Sequence, residues 1–474
     1  MVFFSSLDIL IILGFFAINL SVGIWAGRKT KNNSEDYLLS GRKIGLFLFV
    51  LTNVSTWYGG ILGVGEFTYR YGMLSWFTQG LPYYIFAFLF AIFFAKKVRA
   101  ASLFTIPEKI TSVYGKNAGI LASLIVFILV SPAPYLLMIG SLISLIFNIS
   151  MLPSLILAFI LSSLYLLKGG YKGGVFVDAF QFFVMFAAFI MIVVFSFSGF
   201  GGFDYLSKNL PSNHLTITGG ASPLYILVWF LIALWTFADP GFHQRCYAAK
   251  TPGIAKKGIL ISIFFWAFFD FLTTSTGLFA RANLPNLSIP SLSYPLYADK
   301  ILSSGFKGLF FAGLIATILS TLNSFLFLSG TTITRDFIYK FFSDKKEQNV
   351  RGYTILGICL AGAVSILISY YIQSVIEMWY LIGSVCIPGM IFAVMSAYYP
   401  KYKIKNKVMF FEMLLAVISS ISWYICKQHI NPLSIIYEIE PMIVGLFVGA
   451  VIHIVALIKE RNLQERATIE ITET

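Results

Sequence analysis

The sequence predicts an all-α membrane protein with 13 transmembrane helices. Of its 474 residues, 58% are apolar and only 12% are charged, and the mean hydropathy is +0.82. These values lie outside the range of soluble globular domains. Windows of about 20 apolar residues, which can cross roughly 30 Å of hydrocarbon as a helix, recur along almost the whole chain.

Thirteen such windows are predicted to cross the membrane, and we number them as spans 1 to 13. They cover residues 6–26, 44–67, 73–95, 118–147, 152–167, 175–199, 223–240, 258–280, 308–332, 353–374, 379–399, 408–426 and 441–458. The chain enters span 1 through MVFFSSLD, with no basic segment and no small-residue cleavage site before the loop at Arg28, so we expect span 1 to be retained and not removed as a signal peptide. The tail KERNLQERATIEITET is too short to fold alone, so residues 1–474 are expected to form a single transmembrane domain.

The distribution of basic residues predicts the orientation in the membrane. Of the 34 lysines and arginines, 28 fall in loops on one side of the predicted spans. The other side holds only Arg70, Lys208, Arg281, Lys300, Lys307 and Lys427. Cytoplasmic loops carry the excess of basic residues, so the N-terminus is predicted outside and the C-terminus inside a bacterial inner (cell) membrane. The net charge of +13 therefore sets topology and does not indicate a nucleic-acid partner.

Cysteine and histidine give no sign of a metal centre or a catalytic site. The four cysteines, Cys246, Cys359, Cys386 and Cys426, lie in spans and in one cytoplasmic loop without CxxC spacing. The four histidines, His214, His243, His429 and His453, do not cluster with a carboxylate or a cysteine in one span. A membrane enzyme is therefore the least favoured class of function.

Two spans contain sequences that interrupt a helix at mid-depth. Span 2 contains LTNVSTWYGGILGVG (51–65), with Gly59-Gly60, and span 7 contains LWTFADPGF (234–242), with Asp239-Pro240-Gly241. Unpaired backbone groups are costly in hydrocarbon, so a helix breaks only where it lines a cavity or binds something. A pair of broken spans five apart, crossing in opposite directions, indicates an inverted-repeat transporter. Spans 2–6 and 7–11 would form the repeats, about 44–199 and 223–399, with spans 1, 12 and 13 outside them.

A third irregularity is SPAP (131–134) in span 4, whose prolines remove helix hydrogen bonds and predict a kink. Such a kink can serve packing or function, and the sequence leaves both open.

Span 9 carries a row of hydroxyl groups on one face. Thr317, Ser320, Thr321 and Ser324 follow at i, i+3, i+4 and i+7. Neutral oxygens of this kind hold Na⁺, and the broken span 2 would supply carbonyls without amide partners. The alternative is that these hydroxyls bond to their own helix or join it to a neighbour.

Three carboxylates are singled out within or near the spans. Asp178, in VFVDAFQFF (175–183), is expensive to bury and could attract or release a cation, or it could cap the start of its helix. Glu66 is expected to pair with Arg70 four residues later. Asp270 has no evident partner in the sequence, and its role stays open.

A solute would need a cavity with aromatic walls and a few polar groups. The candidates are Trp57 and Tyr58 beside the first break, Trp235 and Thr236 beside the second, and Gln79 in span 3. Since aromatic residues make up 17% of the chain, only proximity to the two breaks distinguishes these residues from lipid-facing ones.

Four segments resemble the sodium:solute symporter family, which includes sodium/proline, sodium/pantothenate and sodium/sugar symporters. They are SEDYLLSGRKIG (34–45), GGYKGGVFVDAFQ (169–181), HQRCYAAK (243–250) and ATILSTLNS (316–324) with TRD (334–336). No single motif is specific, but the four occur in the right order along nearly the full length. The resemblance implies a five-plus-five inverted-repeat (LeuT-like) core with a sodium site between spans 2 and 9.

The resemblance also implies a ligand set. The side-chain ligands of Na⁺ fall on Ser320 and Thr321, and the carbonyl ligands fall on Leu51, Val54 and Thr317. Leu51 and Thr317 replace alanine in many members, a change that a backbone ligand should tolerate. Asp178 matches a carboxylate near the sodium exit path, and with Asn323 and Ser324 it could hold a second Na⁺.

The expected function is sodium-coupled import of a small polar organic solute, such as an amino acid, sugar, organic acid or vitamin, by alternating access. Na⁺ is the expected coupling ion, and membrane lipid surrounds the protein. The alternatives are a substrate-sensing or channel-like protein of the same fold, or coupling to protons. The identity of the solute, the Na⁺ stoichiometry and the oligomeric state do not follow from the sequence.

Overall fold

The chain folds almost entirely into helices. The structure, a computed structural model, describes residues 2–341, 349–431 and 435–472, of which the large majority are helical and none forms a strand. The helices are α1 Ser6–Gly27, α2 Ser34–Leu39, α3 Leu46–Ser55, α4 Ile61–Tyr71, α5 Leu74–Gln79, α6 Leu81–Phe93, α7 Ala95–Ala100, α8 Ile106–Leu129, α9 Ala133–Phe147, α10 Met151–Ser163, α11 Leu166–Phe200, α12 Phe203–Asn209, α13 Pro223–Ile232, α14 Trp235–Ala238, α15 Pro240–Ala248, α16 Pro252–Asn283, α17 Ser293–Ile301, α18 Phe306–Thr332, α19 Tyr339–Phe341, α20 Val350–Tyr371, α21 Val375–Tyr398, α22 Asn406–Lys427 and α23 Pro441–Thr472. Lys345 and Lys346, two of the 28 basic residues counted above, lie outside the described residues.

The protein is a multi-pass integral membrane protein. Eleven helical segments of the described chain are long and apolar enough to cross a bilayer, and the bent pair Leu46–Tyr58 and Ile61–Tyr71 brings the number to twelve. The remaining predicted span corresponds to α10, which has only 13 residues and is shorter than a typical crossing helix. The total of thirteen spans, the orientation and the boundaries of the repeats therefore stay predictions.

Several predicted boundaries are wrong, and each error has a local cause. Span 4 consists of two helices, because α8 ends at Leu129 and α9 begins at Ala133 across the SPAP segment. The kink expected there is thus present, and the Val130 carbonyl accepts a hydrogen bond from Ser329 of α18 (3.1 Å). Span 6 begins nine residues early because GGYKGG is helical, with a kink only at Gly170, whose φ is +55°.

The most buried span lies in the middle of the molecule. In α18 and the turn that follows it, 89% of the most apolar window is buried, compared with 28% in α1 and in α22. A helix enclosed on all sides can present hydroxyl groups only to other helices and not to lipid. The polar face of α18 therefore lies inside the protein, where the functional groups are found.

The segments that carry the family resemblance meet at one end of the bundle. Arg42 donates hydrogen bonds to the carbonyls of Leu103 (3.2 Å), Tyr247 (3.1 Å) and Ser102 (2.9 Å). At the same end Arg335 forms an ion pair with Glu108 (2.6 Å). These contacts tie the turn after α2, the segment after α7, α8, α15 and the turn after α18 together on the side that holds most of the basic residues, and we call them the basic-side seal.

Candidate functional site

The predicted break in span 2 is present. Helix α3 ends at Ser55, a single 3-10 turn covers Thr56–Tyr58, and α4 starts at Ile61 after a bend of 55°. The two glycines between them permit close packing, since a Cβ at Gly59 would collide with Thr321 and a Cβ at Gly60 would collide with Trp379. The bend thus places the end of α3 directly against α18.

Two hydroxyls of α18 contact the carbonyls at this break. Ser320 Oγ donates to Ser55 O (2.7 Å) and Thr321 Oγ1 donates to Thr56 O (2.6 Å). Both side chains are buried, with exposures of 0% and 2%. The hydroxyl of Thr317, by contrast, bonds to Gly313 O of its own helix (2.7 Å), which leaves its backbone as its only contribution to a site here.

Of the carbonyls that these hydroxyls contact, only that of Thr317, 3.1 Å from Ser320 Oγ, is one that the resemblance implies. Leu51 and Val54 lie in the last turns of α3 and are buried, at 4% and 0% exposure. The contacted carbonyls of Ser55 and Thr56 lie one and two residues further along the chain. The helix ends where the 3-10 turn begins, so these oxygens are the ones that turn toward α18.

Asp178 lies beside the same break and not at a helix end. It is the thirteenth residue of α11, and it accepts hydrogen bonds from Thr52 Oγ1 and, at 3.4 Å, from Thr56 Oγ1. The alternative that Asp178 caps its helix is therefore wrong, because the helix starts three turns earlier, at Leu166. Its second oxygen, Oδ1, is buried without a hydrogen-bond partner in the described chain.

A buried arginine that the sequence analysis assigned to a loop completes this network. Arg245 lies in α15 at 4% exposure and donates to Thr56 Oγ1 (2.6 Å), Ser324 Oγ (3.2 Å) and Gly241 O (3.0 Å). Its neighbour Cys246 is likewise buried in this helix and not in a loop. Thr56 Oγ1 also donates to Thr52 O (2.6 Å), and it lies between Asp178 Oδ2 (3.4 Å) and the guanidinium (2.6 Å).

Asn323 and Ser324 point to different neighbours. The Asn323 amide donates to Tyr165 OH, and its Oδ1 is buried without a hydrogen-bond partner in the described part of the chain. Ser324 instead accepts from Arg245. The structure therefore does not bring these two side chains together around one point.

The predicted break in span 7 is also present, and it borders a cavity. Asp239 is extended between α14 and α15, accepting from Phe242 N (2.9 Å) and from Trp235 Nε1 (2.8 Å). A cavity of about 200 Å³ lies between the two breaks and the ends of the helices remote from the basic-side seal. Of the predicted solute contacts, Trp57, Tyr58, Gln79 and Trp235 line this cavity. Thr236 does not line it, and its side chain is buried elsewhere in the protein.

Two carboxylates and further aromatic rings that sequence reasoning did not place there also line the cavity. Asp270 accepts a hydrogen bond from Tyr84 OH, and Asp239 borders the same space. The expected ion pair of Glu66 with Arg70 is present (3.0 Å) and lies outside the cavity lining. Trp76, Trp229 and Trp379 were missed because they come from sequence neighbourhoods without a break or a polar cluster.

Among the described residues, no group of three or more His, Cys, Asp or Glu side chains could hold a metal ion. The oxygens at the first break come instead from neutral hydroxyls and carbonyls. This donor set suits a hard monovalent cation such as Na⁺.

Comparisons with curated proteins reveal distant relatives over most of the chain. A high-affinity choline transporter of Drosophila melanogaster is 25% identical over 77% of this chain, which spans only 62% of that relative's length. A sodium/proline symporter of Staphylococcus aureus is 24% identical over 92% of this chain and 90% of its own length.

A solved structure shows the same fold. A Na⁺-coupled sialic acid symporter, determined in a substrate-bound outward-open state, superimposes with a TM-score of 0.79 at 16% identity over 96% of this chain and 98% of its own. The helical architecture described above is thus that of a LeuT-like transporter. The model of the sodium:solute symporter family matches residues 37–403, which is well over half of the sequence. The chain belongs to the sodium:solute symporter family.

Proposed function

We propose that this protein couples the inward flow of Na⁺ to uptake of a small polar organic solute by alternating access. The contact of Ser320 and Thr321 with the carbonyls at the break in α3 is the observation that carries the proposal. Family membership supports sodium as the coupling ion.

The hydroxyls of Ser320 and Thr321 are assigned as the side-chain ligands of Na⁺. A hydroxyl carries one hydrogen and two lone pairs, so it can turn its hydrogen away from the carbonyl and offer an oxygen to an entering ion. The carbonyls of Leu51, Val54 and Thr317 remain the backbone ligands implied by the resemblance. The Ser55 and Thr56 carbonyls would be released when the hydroxyls turn.

Coupling requires that the ion and the solute share part of their surroundings. Thr321 both lines the cavity and contacts the broken segment of α3, and Thr56 does the same from the other side. An ion that draws these two residues together changes the shape of the cavity wall. Binding of sodium would thereby favour binding of the solute, with Trp57, Tyr58, Gln79 and Trp235 as solute contacts.

Asp178 is assigned to the exit path of sodium and not to a second sodium site. The Arg245 guanidinium already bonds to Thr56 and Ser324 beside it, and a positive charge there opposes a second resident cation. Asn323 would face this path only from the Tyr165 side. A carboxylate below the first site would attract the ion as the seal opens.

Uptake into proteoliposomes with the purified full-length chain tests the proposal. Labelled amino acids, sugars, organic acids and vitamins would be offered with an inward Na⁺ gradient, and with K⁺ replacing Na⁺ at constant pH. We expect at least one solute to accumulate above its external concentration only with the Na⁺ gradient. Equilibration without accumulation would indicate a channel, and accumulation that follows a pH gradient without Na⁺ would indicate proton coupling.

A further inference from the structure

The wall of the cavity carries carboxyl groups and, among the described residues, no basic group. Asp239 and Asp270 both line it, while no lysine, arginine or histidine is among the described residues of the lining. Neither carboxylate forms an ion pair with a basic residue within the described chain. An unpaired carboxylate at mid-membrane depth is costly, and it persists in proteins where a function requires it.

The two carboxylates differ in how far the protein itself uses them. Asp239 caps the start of α15 and accepts from Trp235 as well, so both of its oxygens have partners. Asp270, on α16, accepts from Tyr84 OH, and it is close enough to Gly80 that a Cβ there would come within 2.9 Å of its Oδ2. Asp270 does not cap a helix, because it lies in the middle of the 32-residue α16. It is the carboxylate available to a ligand.

The rest of the wall is aromatic to an unusual degree. Five of the eight tryptophans in the chain line this one cavity, namely Trp57, Trp76, Trp229, Trp235 and Trp379. Other rings pack against them. The ring centroids of Trp57 and Trp266 are 4.8 Å apart, and those of Tyr135 and Trp379 are 6.2 Å apart. The face of an aromatic ring attracts cations, and tryptophan does so most strongly.

We infer that the solute is a small organic cation of the quaternary ammonium class, bound by the tryptophan faces with Asp270 as its counter-charge. This inference rests on the proposed function, since it names the solute of the same cavity. A quaternary ammonium group has no hydrogen to donate and is held by rings and a nearby charge. A solute with a carboxylate would meet two carboxyl groups here and no basic group among the described residues of the lining.

Equilibrium binding to the purified full-length chain in nanodiscs with Na⁺ tests this inference. Labelled choline would be displaced by unlabelled choline, by tetramethylammonium and by 3,3-dimethyl-1-butanol, the uncharged carbon analogue of choline. We expect the two cations to compete and the uncharged analogue to bind at least about tenfold more weakly, because shape is matched and only the charge differs. Equal competition by the uncharged analogue, or no saturable binding of either cation, overturns the inference.

Variants of two carboxylates give a second measurement. Asp270→Asn should weaken choline binding by about tenfold or more, and Asp270→Glu should retain most of it. Glu66→Gln is the matched control, because it removes one carboxylate outside the cavity lining and should leave binding unchanged. Unaltered cation binding in a folded Asp270→Asn protein would overturn the role of Asp270. If that variant does not fold, the competition measurement on the unaltered chain still tests the cationic solute.

Failure of this inference and failure of the proposed function give different results. Sodium-driven accumulation of a neutral or anionic solute, without competition from choline, would reject the cationic solute and retain the symport. Charge-selective choline binding with no sodium-driven uptake of any solute would retain the cavity assignment and reject the coupling.

Discussion

Arg245 is a charged side chain that composition alone places wrongly. It follows Asp239-Pro240-Gly241 in a polar segment, which the sequence analysis assigned to a loop beyond span 7. In the structure α15 carries it into the protein, where it bonds to Thr56 and Ser324. A buried charge with partners on distant segments leaves no local signal, whereas Asp178 was detected because it interrupts an apolar window.

The two charges should stabilise each other through Thr56. Arg245→Gln or Asp178→Asn alone leaves the other charge buried with less compensation, so each variant should unfold at a lower temperature. The double variant should lose less stability than the two single variants lose together. The difference, which is the coupling energy, should be about 0.5–3 kcal/mol in the free energy of unfolding. Thermal unfolding of the four proteins in one detergent measures this coupling.

Asp8→Asn provides the matched control for this cycle. Asp8 is a buried carboxylate of α1 that accepts from Gly305 N and Gly308 N (2.8 Å each), remote from Arg245 in the contacts it makes. Its effect should add to that of Arg245→Gln without coupling. Equal coupling in both cycles would contradict a specific link between Arg245 and Asp178.

The broken helices could be predicted because their causes are local. Gly59-Gly60 and Asp239-Pro240-Gly241 mark the two positions in the sequence itself, and both breaks are present. The two glycines keep right-handed φ angles and act by leaving room for Thr321 and Trp379. Which carbonyls turn toward α18 could not be predicted in the same way, because this depends on where the 3-10 turn packs against Thr321. The distant walls of the cavity, such as Trp379, also depend on packing and have no local signal.

Helix boundaries failed where polar or glycine-rich segments stayed helical. Helix α11 runs through GGYKGG because this segment packs closely against α1, where a Cβ at Gly27 would collide with Gly169. Helix α15 includes HQRCY, where His243 bonds to Phe237 O (2.9 Å) and Arg245 to Thr56, although both amide atoms of Gln244 are buried without a hydrogen-bond partner in the described chain. A hydropathy window averages the composition of its residues, so a span predicted from it ends where polar residues begin.

Opening of the basic-side seal can be followed at a native cysteine. Arg42→Ala removes three hydrogen bonds that join the turn after α2 to the segment after α7 and to α15, so the seal should open more often. Cys246, fully buried in α15 beside Tyr247, should then react several-fold faster with a water-soluble maleimide. The rate would be measured in a Cys359→Ser, Cys426→Ser background, since those two thiols are exposed.

Lys43→Ala is the control for this labelling. Lys43 is exposed and adjacent to Arg42. The substitution Lys43→Ala therefore removes a positive charge at the same place and leaves the three Arg42 hydrogen bonds intact. Its labelling rate should match that of the unaltered chain. If Lys43→Ala accelerates labelling as much as Arg42→Ala does, the seal is not held by the Arg42 hydrogen bonds.

Three features follow one another along the whole molecule: a closed end, the break between α3 and α4, and the aromatic cavity. The basic-side seal lies at one end, the contact of α3 with α18 lies in the middle, and the cavity extends toward the other end. Because Thr56 and Thr321 belong to both the contact and the cavity wall, the proposed ion and solute sites would be neighbours and not separate pockets.

Such neighbouring sites predict reciprocal binding. If Na⁺ raises the affinity for the solute by some factor, the solute must raise the affinity for Na⁺ by the same factor, and we expect about 5–150-fold. Solute affinity would be measured with and without saturating Na⁺, and Na⁺ affinity with and without saturating solute. Affinities that do not change in either direction would favour a sensor or channel without coupling.

Direct binding of radioactive sodium to the purified chain, without any solute, tests the central assignment. The unaltered protein should bind Na⁺ saturably, and Ser320→Ala with Thr321→Ala should weaken this binding by about tenfold or more, since two of the assigned ligands are lost. Thr331→Ala is the control on the same helix, because its hydroxyl bonds only to Phe327 O of α18 (2.8 Å), and it should bind as the unaltered protein does. Unchanged sodium binding in a folded Ser320→Ala, Thr321→Ala protein would contradict the account.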